Sequence, residues 1–113
     1  MTATILEKSK ATLTFPITEV EAVLRRELLA SVELEASIRG VSIPKAPAEV
    51  ARLAVDIDSL IVVDILCAVE PVLGFELRED VVRPGGYRSA EGALGHILPL
   101  IEREWTKRKG AKP

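Results

Sequence analysis

Asp58 and Ser59 stand at the head of the apolar run Leu60-Ile61-Val62-Val63-Asp64-Ile65-Leu66-Cys67-Ala68-Val69. A serine there offers a hydroxyl at the N-terminus of a helix. Free backbone N–H groups and the positive end of the helix dipole favour an anionic group at such a place. The same two residue types also act as plain N-caps in many helices, and the pair alone leaves both roles open. The other reactive side chains lack companions. His96 is the only histidine, so no metal-binding pair can form around it, and it is expected to be structural or solvated. Cys67, inside the apolar run, reads as a small packed hydrophobe rather than a nucleophile. No spacing suggests a catalytic triad, and no glycine-rich loop follows a strand in the manner of a nucleotide-binding loop.

The elements that would position Ser59 follow from periodicity and cap chemistry. The run after Ser59 is rich in β-branched residues, which by itself would suit a buried strand. Its length, the cap residues in front of it and Gly74 behind it predict instead a helix over 59–73, with Pro71 kinking or loosening the last turn. Thr18 with Glu21 forms a capping-box pattern, so a first helix is expected from Thr18. Val20, Val23, Leu24, Leu28 and Val32 give its apolar stripe, and Gly40 its stop. Residues 40–57 read as a long connection interrupted by Pro44 and Pro47, with a helical turn over 48–53. Glu79 to Val82 reads as a short third helix and Arg83-Pro84-Gly85-Gly86-Tyr87 as a turn. Ser89 is the expected N-cap of a last helix whose buried stripe is Ala93, Leu94, Ile97, Leu98 and Ile101. Pro99 should bend that helix, and Trp105 should close the end of the bundle. Leu60, Val63, Leu24, Leu28, Leu94 and Ile97 are expected to share one core.

A chain of 113 residues is one domain with room for a modest core. With 48% hydrophobic residues but only 4% aromatic, that core must be aliphatic, as in a small helical bundle. A formal net charge of −2 carries no electrostatic signature for nucleic acid. No apolar stretch reaches the roughly 20 residues of a membrane span, and Met1 to Ala11 lacks the apolar block of a signal peptide. One cysteine excludes an internal disulfide and fits a reducing, cytoplasmic setting. The expected organisation is a loose N-terminal extension over 1–17 with a short extended piece over 11–15, a helical domain over 18–106 and a basic tail over 107–113.

The triplet Asp58-Ser59-Leu60, the apolar segment with Asp64 and Glu70, the turn Gly74-Phe75-Glu76-Leu77 and the start Ser89-Ala90-Glu91-Gly92-Ala93-Leu94 together resemble the acyl carrier protein family. The resemblance covers Val55 to about Ile101, less than half the chain. It implies an all-α, acyl-carrier-like four-helix bundle, here with a long first loop and extended termini. It further implies that Ser59 carries covalent 4′-phosphopantetheine, that Asp58 contacts the transferase or its metal ion, and that Leu60 anchors the helix. The chain would then be no enzyme itself. It would tether acyl intermediates as thioesters for fatty acid, polyketide or related biosynthesis. A phosphopantetheinyl transferase and acyl-loading, condensing or acyltransferase enzymes would be its partners.

Three departures from the family pattern bear on the partners. Asp56 stands where the family usually has glycine, Ile61 and Val62 stand where polar residues are common, and the loop holding Pro84, Gly85 and Gly86 is longer. Ile61, Val62, Asp64, Ile65 and Glu70 are therefore expected to form a partner-binding face that is more apolar than usual. Packing of the same apolar residues on the long loop or in a dimer is the other expectation. The rival function is an unmodified helical protein–protein interaction module that docks through this helix.

Overall fold

The computed structural model describes residues 14–110. Four α-helices account for most of them: α1 (Ile17–Arg39), α2 (Pro47–Arg52), α3 (Ser59–Leu73) and α4 (Ala90–Trp105). A 3-10 turn (Glu79–Val81) lies between α3 and α4, and a π turn (Thr106–Gly110) continues α4. The fold is all-α. Among the described residues the extended pairing is a single antiparallel bridge, Ile57 with Tyr87. None of these helices is long and apolar enough to cross a membrane. Most of the expected N-terminal extension, and the end of the basic tail, lie outside the described residues.

Helix α1 spans about 34 Å at 1.5 Å per residue and serves as the spine. Val20, Leu24, Leu28, Val32 and Ala36 recur every four residues and are all buried. This ridge packs α1 against both α3 and α4. The short α2, opened by Pro47 at its first position, packs against α1 and α4. Gly40 and Gly74 end α1 and α3 in the left-handed conformation that glycine adopts at least cost. At the far end Trp105 is buried, with its ring centroid 6.0 Å from that of Phe15.

The start of α1 differs from the capping box expected at Thr18. The helix begins at Ile17, with Pro16 in the cap position and no side-chain cap hydrogen bond. The Pro16 carbonyl accepts from Val20 N–H at 3.0 Å. The Glu21 carboxylate is engaged elsewhere, in an i, i+4 pair with Arg25 at 2.9 Å. Helix α3 forms despite its β-branched residues and runs through Pro71, while α4 runs through Pro99.

The expected core holds for Leu24, Leu28, Leu94 and Ile97, with Val63 partly buried against it. It fails for Leu60, which is 74% exposed. The buried side of α3 is set by Val62, Ile65, Leu66, Val69 and Leu73. Leu60 is two residues from Val62, about 200° around the helix, and shares the outer face with Asp64, Cys67 and Pro71. Leu28→Ala should therefore cost about 2–5 kcal/mol in chemical denaturation. Leu60→Ala should change stability by no more than about 0.5 kcal/mol, as surface substitutions do.

Candidate functional site

The head of α3 is built from both sides of the chain. Val55 and Ile57 are buried, whereas Asp56 and Asp58 between and after them are exposed, so the segment before α3 alternates like a strand. Its partner is the segment after the turn at residues 83–86. Ile57 N–H donates to the Tyr87 carbonyl at 2.7 Å, and Tyr87 N–H donates to the Ile57 carbonyl at 2.9 Å. Val55 N–H extends the pairing to the Arg88 carbonyl at 2.9 Å.

Sequence explains why that turn can close. Pro84 precedes Gly85, which has φ +90°, and Gly86 N–H donates to the Arg83 carbonyl at 3.0 Å. This is the residue pattern of a type II turn, with proline first and a positive-φ glycine second. Gly86 also has positive φ, +84°, for a second reason. A Cβ there would overlap the carbonyl oxygen of Ile57, so only glycine lets the loop reach the backbone at the head of α3.

Tyr87 pins the loop from within. Its phenol oxygen accepts Arg83 N–H at 2.9 Å and lies 2.7 Å from Nδ1 of His96 on α4. The phenol oxygen thus ties the turn to α4 through the Arg83 backbone and the His96 ring. The single histidine thus has the structural role expected of it. Burial pushes the Tyr87 phenol above its ordinary value of 10.0, against the opposing pull of the Arg83 N–H and guanidinium.

At the helix head the two candidate residues divide the work. Asp58 has extended backbone, and its Oδ1 accepts Leu60 N–H at 2.8 Å. Asp58 is therefore the N-cap. Ser59 is the first helical residue, half-buried, and its hydroxyl makes no hydrogen bond among the described residues. Capping accounts for the aspartate and leaves the serine without a structural task.

Beside this head lies an open cleft of about 790 Å³ between the end of α1, the strand-like segment, the turn and the start of α4. Its charged lining comprises Glu35, Arg39, Asp56, Asp58, Arg83 and Arg88. Glu35 and Arg39 neutralise each other at 2.9 Å. Arg83 lies over the Tyr87 ring, 5.0 Å from its centroid, and neither Arg83 nor Arg88 has an ion-pair partner among the described residues.

The partner-binding face expected on α3 is only partly exposed. Ile61 and Asp64 face outward beside Leu60. Val62 and Ile65 are buried, at 0% and 5% exposure, because they carry the packing of α3 on α1. Glu70 turns its carboxylate to Leu77 N–H at 3.0 Å and so closes the turn after α3. The expectation that Val62 and Ile65 face a partner is corrected accordingly, as is the anchoring role of Leu60. Sequence reasoning missed Tyr87, Arg83, Arg88 and the contact made by Gly86. The only signal for them was the Pro-Gly-Gly turn running into the single tyrosine. No group of three or more metal-ligating side chains occurs among the described residues.

No protein-family model matches this chain, and neither the curated proteins nor the solved structures yield a match.

Two expectations follow from this geometry. Gly86→Ala should destabilise the fold by roughly 2–4 kcal/mol, through left-handed backbone cost plus overlap with Ile57. Gly85→Ala, with open space around it, should cost only the backbone part, about 1–2 kcal/mol. Denaturant melts of the two variants check this. The raised Tyr87 phenol should also make stability pH-dependent in the alkaline range. Its contribution is fully present below pH 10.0, the ordinary value, and is lost as pH rises through the higher folded-state value. A Tyr87→Phe protein should lack this alkaline dependence.

Proposed function

We propose that the chain is a carrier protein of acyl-carrier type, an all-α four-helix bundle that holds acyl intermediates as thioesters on a 4′-phosphopantetheine arm attached to Ser59. The observation that carries this reading is the division of labour at α3. Asp58 caps the helix, and Ser59 stands at the same N-terminus with an unengaged hydroxyl. The first-turn N–H of Ile61 also lacks a partner among the described residues, so the helix head retains a donor for an anion.

In the loading step the Ser59 hydroxyl oxygen would bond to the phosphorus nearest pantetheine in coenzyme A. The pyrophosphate bridge breaks, the adenosine bisphosphate half leaves, and the hydroxyl proton passes to a base of the transferase. When attached, the arm supplies the thiol that carries the acyl group. The protein's own part is to hold Ser59 at a fixed, accessible position and to present a docking face. Leu60, Ile61 and Asp64 are the outward residues of α3 near Ser59, so the partner face is assigned to them, without Val62 and Ile65. Such a chain would not be an enzyme by itself.

An interaction module without modification is the second reading. It draws on the exposed apolar side chains of the same region, Leu60 at 74% and Ile61 at 36%, together with Leu34 and Ile38 on α1. Incubation with coenzyme A and a broad-specificity phosphopantetheinyl transferase separates the two. Intact mass should rise by one phosphopantetheine, and Ser59→Ala should abolish the gain. An unmodified wild type with several active transferases would decide for the interaction module.

A further inference from the structure

The cleft beside the head of α3 is polar, and its lining balances three arginines, Arg39, Arg83 and Arg88, against Glu35, Asp56 and Asp58. Arg39 is paired with Glu35, and Asp58 is turned into its own helix as the cap. Asp56 and Asp58 keep their negative charge, and Arg83 and Arg88 are the guanidinium groups of the lining without an ion-pair partner among the described residues. Ile61, whose first-turn N–H has no partner among the described residues, lines the same cleft. Two guanidinium groups and a helix-head N–H form a donor set suited to a phosphodiester, since arginine presents a fork of donors to paired anionic oxygens.

The position of this donor set is tightly controlled. Arg83 is held by stacking on Tyr87, and its backbone N–H is fixed by the Tyr87 phenol. The Arg88 carbonyl accepts the N–H of Val55, in the stretch that leads into α3. Gly86 brings the whole loop against Ile57 and Ser59. The loop that carries both arginines is thus registered to the backbone at Ser59 by the bridge between Ile57 and Tyr87.

We propose that this cleft holds the phosphate end of the arm, with Arg83 and Arg88 as the anion partners of the phosphodiester on Ser59. The inference rests on the carrier reading and goes beyond it. The arm would leave Ser59 along the turn at residues 83–88, toward α4, and not along the outer face of α3. The outer face, with Leu60 and Asp64, then stays clear for partner enzymes while the arm is stowed.

The test compares amide and phosphorus NMR spectra of the unloaded and loaded full-length protein, with loading verified by intact mass. In the wild type, loading should shift the amides of Gly85, Gly86, Tyr87 and Arg88, which are far from Ser59 in sequence. These shifts should be lost in the loaded Arg83→Ala/Arg88→Ala protein and largely retained in Arg88→Lys. The phosphorus resonance of the arm should differ between the wild type and the double variant. Matching amide spectra of the unloaded proteins outside the substituted sites establish that the variants fold alike. If loading shifts only residues 58–62, or if the double variant shifts the turn as the wild type does, the arm does not lie in the cleft and the inference fails while the carrier reading stands. A wild type that no transferase loads overturns both.

Discussion

Two backbone hydrogen bonds between Ile57 and Tyr87 join the connection that enters α3 to the connection that enters α4. Almost everything that defines the candidate site passes through this pairing. It places Asp58 where its carboxylate can cap α3, it sets Gly86 against the helix head, and it aligns Arg83 and Arg88 along one cleft. The pairing is small, and a two-stranded contact of this size would not persist alone. It survives because Ile57, Val55 and Tyr87 are buried in the same helical core that α1 organises. Hydrogen bonds shielded by that packing cost much to leave unmade, which makes a short bridge a firm constraint.

Helix α3 shows how one amphipathic element serves two purposes. Its inner face, Val62, Ile65, Leu66, Val69 and Leu73, packs the fold together. Its outer face is free of that duty and carries Leu60, Asp64 and Cys67. The helix is so apolar overall that the two faces are hard to tell apart by residue type. The packing against α1 distinguishes them, and the distinction moves the proposed partner surface by one side of the helix. Glu70 shows the same effect for a charged residue. Its carboxylate accepts Leu77 N–H and so closes the turn after α3.

The polar side of the site depends on how few of its groups are left over. Glu35 with Arg39, Asp58 with Leu60 N–H and Tyr87 with His96 are satisfied internally. The Ser59 hydroxyl has no hydrogen bond, and the two turn arginines no ion pair, among the described residues. A satisfied polar group rigidifies a structure, and an unsatisfied exposed one is available to a ligand or an enzyme. The proposed carrier chemistry and the proposed stowing of the arm both draw on that remainder.

The sequence by itself determined the helical class, the run of α3 from the Asp58-Ser59 pair to its stop at Gly74, the cap of α4 at Ser89, and the aliphatic stripe of α1. These are local properties, set by side-chain period, cap chemistry and the conformational freedom of glycine, and they act within one or two helical turns. The start of α1 escaped this reasoning, since the helix begins at Ile17 with Pro16 in the cap position and Glu21 pairs with Arg25. Which side of α3 faces inward was not legible, because Leu60, Ile61, Val62 and Ile65 are all apolar and only contact with α1 ranks them. The cleft was not legible either. Arg83 and Arg88 lie more than twenty residues from Ser59 in the chain, and Gly86, having no Cβ, lets their loop reach the Ile57 carbonyl at the head of α3. Tertiary structure decided those features because they rest on contacts between segments that no local pattern encodes.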